Sequence, residues 1–466
     1  MQNFTELERI DPERRGSNER IKDYKEIYEI FKTNDAATQA ERCIQCGDPY
    51  CHNKCPLHNY IPFWLKATAN IDKKLAFNLS NESNPFPEIT GRICPVDRLC
   101  EGDCTLNQDG FGAITIGSIE TFISENGFKH GLKPLFPGIS SDKRVAVIGS
   151  GPSSMSVATY LLRAGIGVDM YEKASRPGGL LTYGIPNFKL NKKVVQRRYE
   201  WLKDAGLNLI LNCEVGKDIS FSEISKKCNG IFIGIGAQKP KKANIINEQS
   251  SGTLRALDFL INIQKKLFHE SYDEKYDVKD KNVVVIGGGD TAMDCVRTAI
   301  REGAKSVKCL YRRDRVNMPG SKKEIKNAYD EGTQFIFNVT PKEIILNSDK
   351  KVIAVRMKKT MLTEKDNTGR QKVEVIKGSD FRIDTDIVIF SLGFEHEIPS
   401  FLAENGIEVN KYGGVIVDEH YETSKKGIFA GGDCQRGADL VVTAANDGKE
   451  AAHFIIKSLK RQEKII

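Results

Sequence analysis

The sequence lacks any apolar run of the roughly 18 or more residues that a membrane-spanning helix needs. Its first ten residues, Met1–Ile10, have no basic stretch leading into an apolar core and so do not read as a secretory signal. A soluble, cytoplasmic protein is expected. There is no low-complexity tract, no short repeat and none of the usual nucleic-acid-binding motifs. The formal net charge is only +7 over 466 residues, with lysines and arginines dispersed. Such a surface suits phosphate-bearing cofactors or an acidic partner, and is otherwise a solvated face. The length points to about three domains.

What the sequence does have is cysteine, unevenly placed. Seven of the 12 fall in two runs, Cys43-x2-Cys46-x4-Cys51-x3-Cys55-Pro56 and Cys94-Pro95-x4-Cys100-x3-Cys104. Cys213, Cys228, Cys295, Cys309 and Cys434 show no such spacing. Thiolates are soft ligands that suit iron–sulfur clusters or zinc. A C-x2-C hairpin followed by C-x3-C-P resembles the grammar of four-iron clusters, although the x4 gap departs from the ferredoxin loop. Zinc, paired disulfides and plain core thiols are the competing readings. Seven thiols in proline-marked runs fit closed four-ligand zinc poorly, and disulfides need an oxidising compartment.

Residues 1–140 read as a small helical domain stapled by these loops. Ile21, Tyr24, Ile27, Tyr28 and Phe31 recur at helical spacing and predict a helix over Arg20–Lys32. Further helices are expected over Tyr60–Asn78 and Ser118–Asn126. From Arg144 the texture becomes strand–turn–helix. Arg144–Ile148 is a buried strand, Gly149-Ser150-Gly151-Pro152 a turn, Ser153–Arg163 a helix and Val168–Tyr171 a strand. The order recurs as Asn282–Ile286, Gly287-Gly288-Gly289, Asp290–Arg301 and Val307–Tyr311. Two such openings mean two nucleotide-binding folds. The polar stretch Ser250–Lys281 reads as their connection.

The two turns differ in charge. In Gly149-x-Gly151-x-x-Ser154, serine replaces the third glycine, which predicts a helix slightly farther from its strand. Glu172 follows Gly151 by 21 residues and can accept hydrogen bonds from an adenosine ribose while repelling a 2′-phosphate, so this turn suits FAD or NAD. In Gly287-x-Gly289-x-x-Ala292 the second strand instead ends in Arg312 and Arg313, which can pair with a 2′-phosphate. NADP(H) is expected there, with NAD left open by Asp314. Near the C-terminus, a strand ending at Gly393 and the run Gly427–Asp433 lead into a helix beginning within Gly437–Ala452. Gly432, Asp433 and Thr443 are candidate flavin contacts. In isolation Asp433 would be a turn residue.

With these residues in hand, the chain resembles the small (β) subunit of bacterial NADPH-dependent glutamate synthase over nearly its whole length. The likeness runs through Arg9-Ile10-Asp11-Pro12, Ala40–Gly47, Gly91–Pro95, Pro177–Pro186, Gly287–Asp294 and Ala430–Asp433. A similar module forms the N-terminal half of dihydropyrimidine dehydrogenase. The resemblance implies an α/β chain of two Rossmann-like, disulfide-reductase-like nucleotide-binding domains after an α-helical iron–sulfur domain. The implied bounds are 1–140 for the iron–sulfur domain, 141–255 with 391–466 for FAD, and 256–390 for NADPH. Two 4Fe-4S clusters are implied, one on Cys43, Cys46, Cys51 and Cys104, the other on Cys55, Cys94 and Cys100. Glu120 is the implied eighth ligand, against the plain reading of an exposed helix glutamate. FAD would contact Gly149, Gly151, Pro152, Ser153, Glu172, Gly179 and Leu180, and NADPH would contact Gly287, Gly289, Asp290, Thr291, Arg312 and Arg313. Hydride would pass directly between cofactors, with no catalytic side chain. Electrons would then pass through the clusters to a large subunit that makes glutamate from glutamine and 2-oxoglutarate. The alternative is the NADPH-handling subunit of another complex, of the ferredoxin:NADP oxidoreductase or dihydropyrimidine dehydrogenase type.

Overall fold

The computed structural model describes residues 3–365 and 371–463. Two parallel five-stranded sheets carry the architecture. The first orders its strands Ile428–Ala430, Gly230–Ile233, Arg144–Ile148, Gly167–Tyr171 and Leu207–Ile210. The second orders Thr253–Arg255, Ile387–Phe390, Asn282–Ile286, Ser306–Tyr311 and Gln334–Phe337. In each, the strand before the glycine turn is central. RVAVI and NVVVI are apolar on both faces because helices cover both sides of a parallel sheet. Thr253–Arg255 pairs in register with Val388–Phe390. The second fold therefore begins before residue 256, and Ala256–Leu267 is one of its helices rather than a connection. Lys239–Pro240 and Phe394–Glu395 pair antiparallel where the chain leaves the first fold and returns to it. An antiparallel sheet built from Val339–Leu346, Val352–Lys365, Gln371–Val375 and Phe381–Asp384 extends the second fold.

Ser154 packs directly against Gly234. Its side chain is fully buried over Gly234, where a Cβ would stand 2.2 Å from the Ser154 hydroxyl. On the other face, helix Val441–Glu463 packs on Pro152–Arg163, and Ser156 Oγ donates to the Ala445 carbonyl at 2.6 Å.

The N-terminal region is helical, with Trp64 fully buried among Ala36, Ala40, Ile61 and Ile119. Two expectations fail here. The Tyr60–Asn78 stretch is two helices, Ile61–Ala69 and Lys73–Ser83, broken where Ile71 turns left-handed (φ +57°) and Asp72 caps the second by accepting from Leu75 N. Arg20–Lys32 is not a helix. Only Ser17–Arg20 is helical, after which the chain runs antiparallel to residues 13–15 and lies as a strap on the second nucleotide fold. Tertiary contacts override the periodicity: Tyr24 donates to Glu302 at 2.6 Å and Tyr28 to Asn327 at 3.2 Å.

Buried ion pairs lock these parts together. Arg198 of the first fold grips Glu88 of the helical region in a two-pronged bond, and both side chains are fully buried. At the strap, Glu331 accepts from Arg20, Arg297 and Arg301, again without exposure. Phe188 from the first fold lies 4.3 and 4.0 Å from the Arg297 and Arg301 guanidinium carbons. Burial alone would raise the Glu331 carboxyl, but these arginines hold it down to about 2. Removing one partner of a buried pair costs about 3–5 kcal/mol, so Glu331→Gln should unfold at clearly lower temperature in a thermal melt at pH 7. Because the folded value lies below the ordinary carboxylate value, the stabilisation is complete above about pH 4.3 and is lost as pH falls through the folded value. The difference between wild type and variant should therefore shrink on acidification. Identical melting at pH 7 would contradict this account.

Candidate functional site

A cavity of about 1050 Å³ opens at the carboxyl ends of both sheets, where ligands bind in such folds. From the first fold, Gly149, Gly151, Pro152, Ser153 and Glu172 line it. Gly149 adopts φ +92°, and a Cβ there would lie 2.5 Å from the Gly234 carbonyl oxygen, so only glycine fits. Gly151 faces open space at the start of helix Pro152–Arg163, leaving room for an anion at the helix N-terminus. Glu172 is fixed from within the protein: it accepts from Ser150 N, Ser150 Oγ and Ala174 N. Its orientation toward the cavity is thus set before any ribose arrives. Gly179, at φ +53°, packs its backbone against Gly151, and Leu180 follows into the cavity wall.

Lys192 holds this wall from behind. It is buried, and its ammonium donates to the carbonyls of Leu181 and Ile185. Burial pushes its titration down to about 7. The C-terminal run contributes Gly393 and Asp433 to the cavity, and burial raises the Asp433 carboxyl to about 7. Gly432, at φ +78°, shapes the turn from outside the lining, with its N–H donating to buried Asp447. Thr443 does not line the cavity. Val441, Val442 and Ala444 do, because Thr443 falls on another side of the helix.

The second turn places Gly289, Asp290 and Thr291 on the same cavity. Gly287 instead serves the turn itself: a Cβ there would meet the Ser391 carbonyl oxygen at 2.2 Å. Arg312 and Arg313 lie beyond the cavity wall, Arg312 exposed and Arg313 half-buried with its guanidinium toward the Gln371 carbonyl at 3.4 Å. The two arginines stand at the end of strand Ser306–Tyr311, the ribose position of such a fold.

All 12 cysteines are unpaired thiols. The seven of the two runs separate into two electrostatic groups. Cys43 and Cys51 feel Cys46 and Cys104, whereas Cys94 and Cys100 feel Cys55 and Glu120. Burial raises the thiols of Cys43, Cys51, Cys55, Cys94 and Cys100, Cys51 to about 12, so these favour the protonated form unless a cationic centre binds them. Among the described residues no three His, Cys, Asp or Glu side chains converge as a single closed ion requires. Unpaired, grouped thiols, Cys43 and Cys104 buried and the other five half-buried, fit iron–sulfur clusters, which spread their thiolates over several irons. Glu120 is not an exposed helix glutamate. It is 6% exposed on helix Ile116–Lys129 and accepts from Asn59 at 2.5 Å, Asn84 at 3.1 Å and Thr90 at 3.1 Å. Cys94 also lines the cavity, and no member of the Cys43 group does.

Sequence reasoning missed Ser150, Lys192 and Asp447. Ser150 lies inside the first glycine turn, but its bond to Glu172 exists only once the strands pair, and Lys192 and Asp447 bind backbone groups that no pattern marks.

The family model for dihydropyrimidine dehydrogenase domain II, 4Fe-4S cluster, matches residues 20–132. That for pyridine nucleotide-disulphide oxidoreductase matches residues 143–448. The FprA structure from Mycobacterium tuberculosis in complex with NADPH is similar in fold, with a TM-score of 0.58 at 20% identity, covering 70% of this chain and 86% of that one. The glutamate synthase [NADPH] small chain of Azospirillum brasilense is 44% identical, covering 95% of this chain and 93% of its own. That of Escherichia coli is 44% identical over 465 residues, 98% of both chains. An end-to-end match of this kind leaves neither the helical thiol region nor either nucleotide fold unaccounted for, and the chain belongs to the glutamate synthase [NADPH] small-chain family.

Proposed function

We propose that this chain oxidises NADPH and delivers the electrons to a large glutamate synthase subunit. One observation carries the reading: both glycine turns and Cys94 line a single cavity. The residues of the first turn would hold FAD, those of the second would hold NADPH, and the two thiol groups would hold two 4Fe-4S clusters. When bound, FAD supplies hydride acceptance and one-electron release, and the clusters supply one-electron carriage. The protein's own work is alignment. Helix N-termini at Gly151 and Gly289 receive diphosphate charge, and Glu172 orients a ribose. Leu180, Ile185, Val441 and Val442 keep the cavity wall apolar, which excludes water from a hydride path. No acid or base is required of the protein, in keeping with hydride transfer between cofactors.

Of the Cys55, Cys94, Cys100 and Glu120 group, Cys94 lines the cavity, so a cluster held there would be the inner one. Cys43, Cys46, Cys51 and Cys104 do not line the cavity, and a cluster held there would be the outer one, handing electrons to the acceptor. The large subunit is the proposed acceptor, and glutamine with 2-oxoglutarate the substrates converted there.

Three outcomes are expected. The complex isolated anaerobically through this chain should oxidise NADPH only when glutamine and 2-oxoglutarate are both present, and should form glutamate. Oxidation with ferredoxin or dyes alone would assign the chain to a different electron-transfer complex. Cys94→Ser should lower iron content by about half, one cluster of two; an unchanged iron content would remove Cys94 from the ligand set. Lys192→Met leaves the Leu181 and Ile185 carbonyls without their buried donor, a loss of about 1–3 kcal/mol. Flavin retained after ultrafiltration should fall accordingly, and retention equal to wild type would show that this anchor does not support the flavin wall.

A further inference from the structure

The loop between Cys94 and Cys100 has two faces. Inwardly it carries the two thiols. It is closed tightly: Glu101 N and Gly102 N both donate to the Val96 carbonyl, at 2.9 and 3.0 Å, and a Cβ on Gly102 would lie 2.3 Å from the Asp97 carbonyl oxygen. Outwardly the loop reaches the second nucleotide fold. Arg98 donates to the Pro319 carbonyl at 2.9 Å and pairs with Asp290 at 3.2 Å. Asp97 accepts from Lys322 N at 3.3 Å, at the start of helix Lys322–Asp330. Pro319 is tied to the glycine turn itself, because the next residue, Gly320, donates to the Gly288 carbonyl at 3.0 Å.

Asp290 is the first residue of the helix that follows the second turn, and it lines the cavity with Gly289 and Thr291. Its carboxylate accepts from Ser321 N through one oxygen and meets Arg98 through the other. A dinucleotide diphosphate seeks the same helix N-terminus, so an unpaired Asp290 would repel it. Lys189, which also lines this region, is committed to Asp294 at 2.9 Å.

We infer that Arg98 is a positioning residue for the dinucleotide: supplied by the thiol-bearing loop, it neutralises Asp290 and holds it aside, so that the second turn accepts a diphosphate. The helical region therefore completes a site that the nucleotide fold does not complete alone. This rests on the reading of the second turn as the NADP(H) site.

The test is an equilibrium titration of NADP⁺ into the flavin- and iron-loaded chain, for wild type, Arg98→Gln, Arg98→Lys, Asp290→Asn and the Arg98→Gln/Asp290→Asn double variant. Arg98→Gln should weaken binding about tenfold at low salt, the size of a lost charge-assisted contact, and by less at high salt. Arg98→Lys should retain most of the affinity. The double variant should recover to within about threefold of wild type, because the charge that Arg98 offsets is gone. Iron content and the electron paramagnetic resonance of the reduced clusters should be unchanged in Arg98→Gln. Equal affinity in wild type and Arg98→Gln would overturn the inference. So would failure of the double variant to recover, or an affinity loss accompanied by iron loss that lysine does not repair. A wild-type chain that does not bind NADP⁺ would overturn the assignment of the second turn, and the inference with it.

Discussion

Buried guanidinium–carboxylate pairing at the seams is the constraint on which the site depends. Neither nucleotide fold alone forms the cavity. It exists because Arg198–Glu88 fixes the helical region on the first fold and the arginines around Glu331 fix the strap on the second. Lys189–Asp294 ties the two folds directly. Such pairs are poor sources of net stability against apolar packing, but a mispaired arrangement leaves a bare buried charge. That asymmetry favours one relative placement of three parts over the alternatives. In this chain the placement is what brings two glycine turns and Cys94 onto one wall.

Within that frame, local chemistry divides the labour. Glycines occur where the backbone itself must be approached, at Gly151 and Gly289, or where a turn leaves no room for a Cβ, at Gly149 and Gly287. Polar anchors set the wall: Glu172, which lines it, is held by Ser150, the Gly432 N–H by Asp447, and the Leu181 and Ile185 carbonyls by Lys192 from behind. A cavity prepared in this way meets cofactors already oriented, which limits the reorganisation that binding requires.

The sequence disclosed those features whose physics is short-range. RVAVI-GSGP and NVVVI-GGGD each state a strand, a turn and a helix start within a few residues, and the cysteine runs state their own clustering. What it concealed was long-range. The spacing of Tyr24, Tyr28 and Phe31 mimics a helix, yet the hydroxyls of Tyr24 and Tyr28 serve partners about 300 residues away in the chain. On the C-terminal helix Val441, Val442 and Ala444 line the cavity and Thr443 does not, because one residue along a helix turns a side chain about 100° around the axis, a difference that the sequence does not mark. Ser154 is accommodated by Gly234, a pairing between residues 80 apart in the chain that the local motif does not state. The anchors Lys192 and Asp447 carry no signature because their partners, the Leu181 and Ile185 carbonyls for one and the Gly432 N–H, Tyr421 and Arg436 for the other, meet them only in the tertiary fold.

The central claim is that two separate iron-holding groups exist and that the one containing Cys94 adjoins the cavity shared by both nucleotide turns. Anomalous scattering at the iron edge, from crystals of the intact iron- and flavin-loaded protein, tests it most directly. The account expects two resolved iron peaks, one enclosed by Cys43, Cys46, Cys51 and Cys104, and one by Cys55, Cys94 and Cys100 with Glu120, the latter beside the cavity. A single peak, or an iron site beside the cavity that Cys94 does not touch, would contradict it.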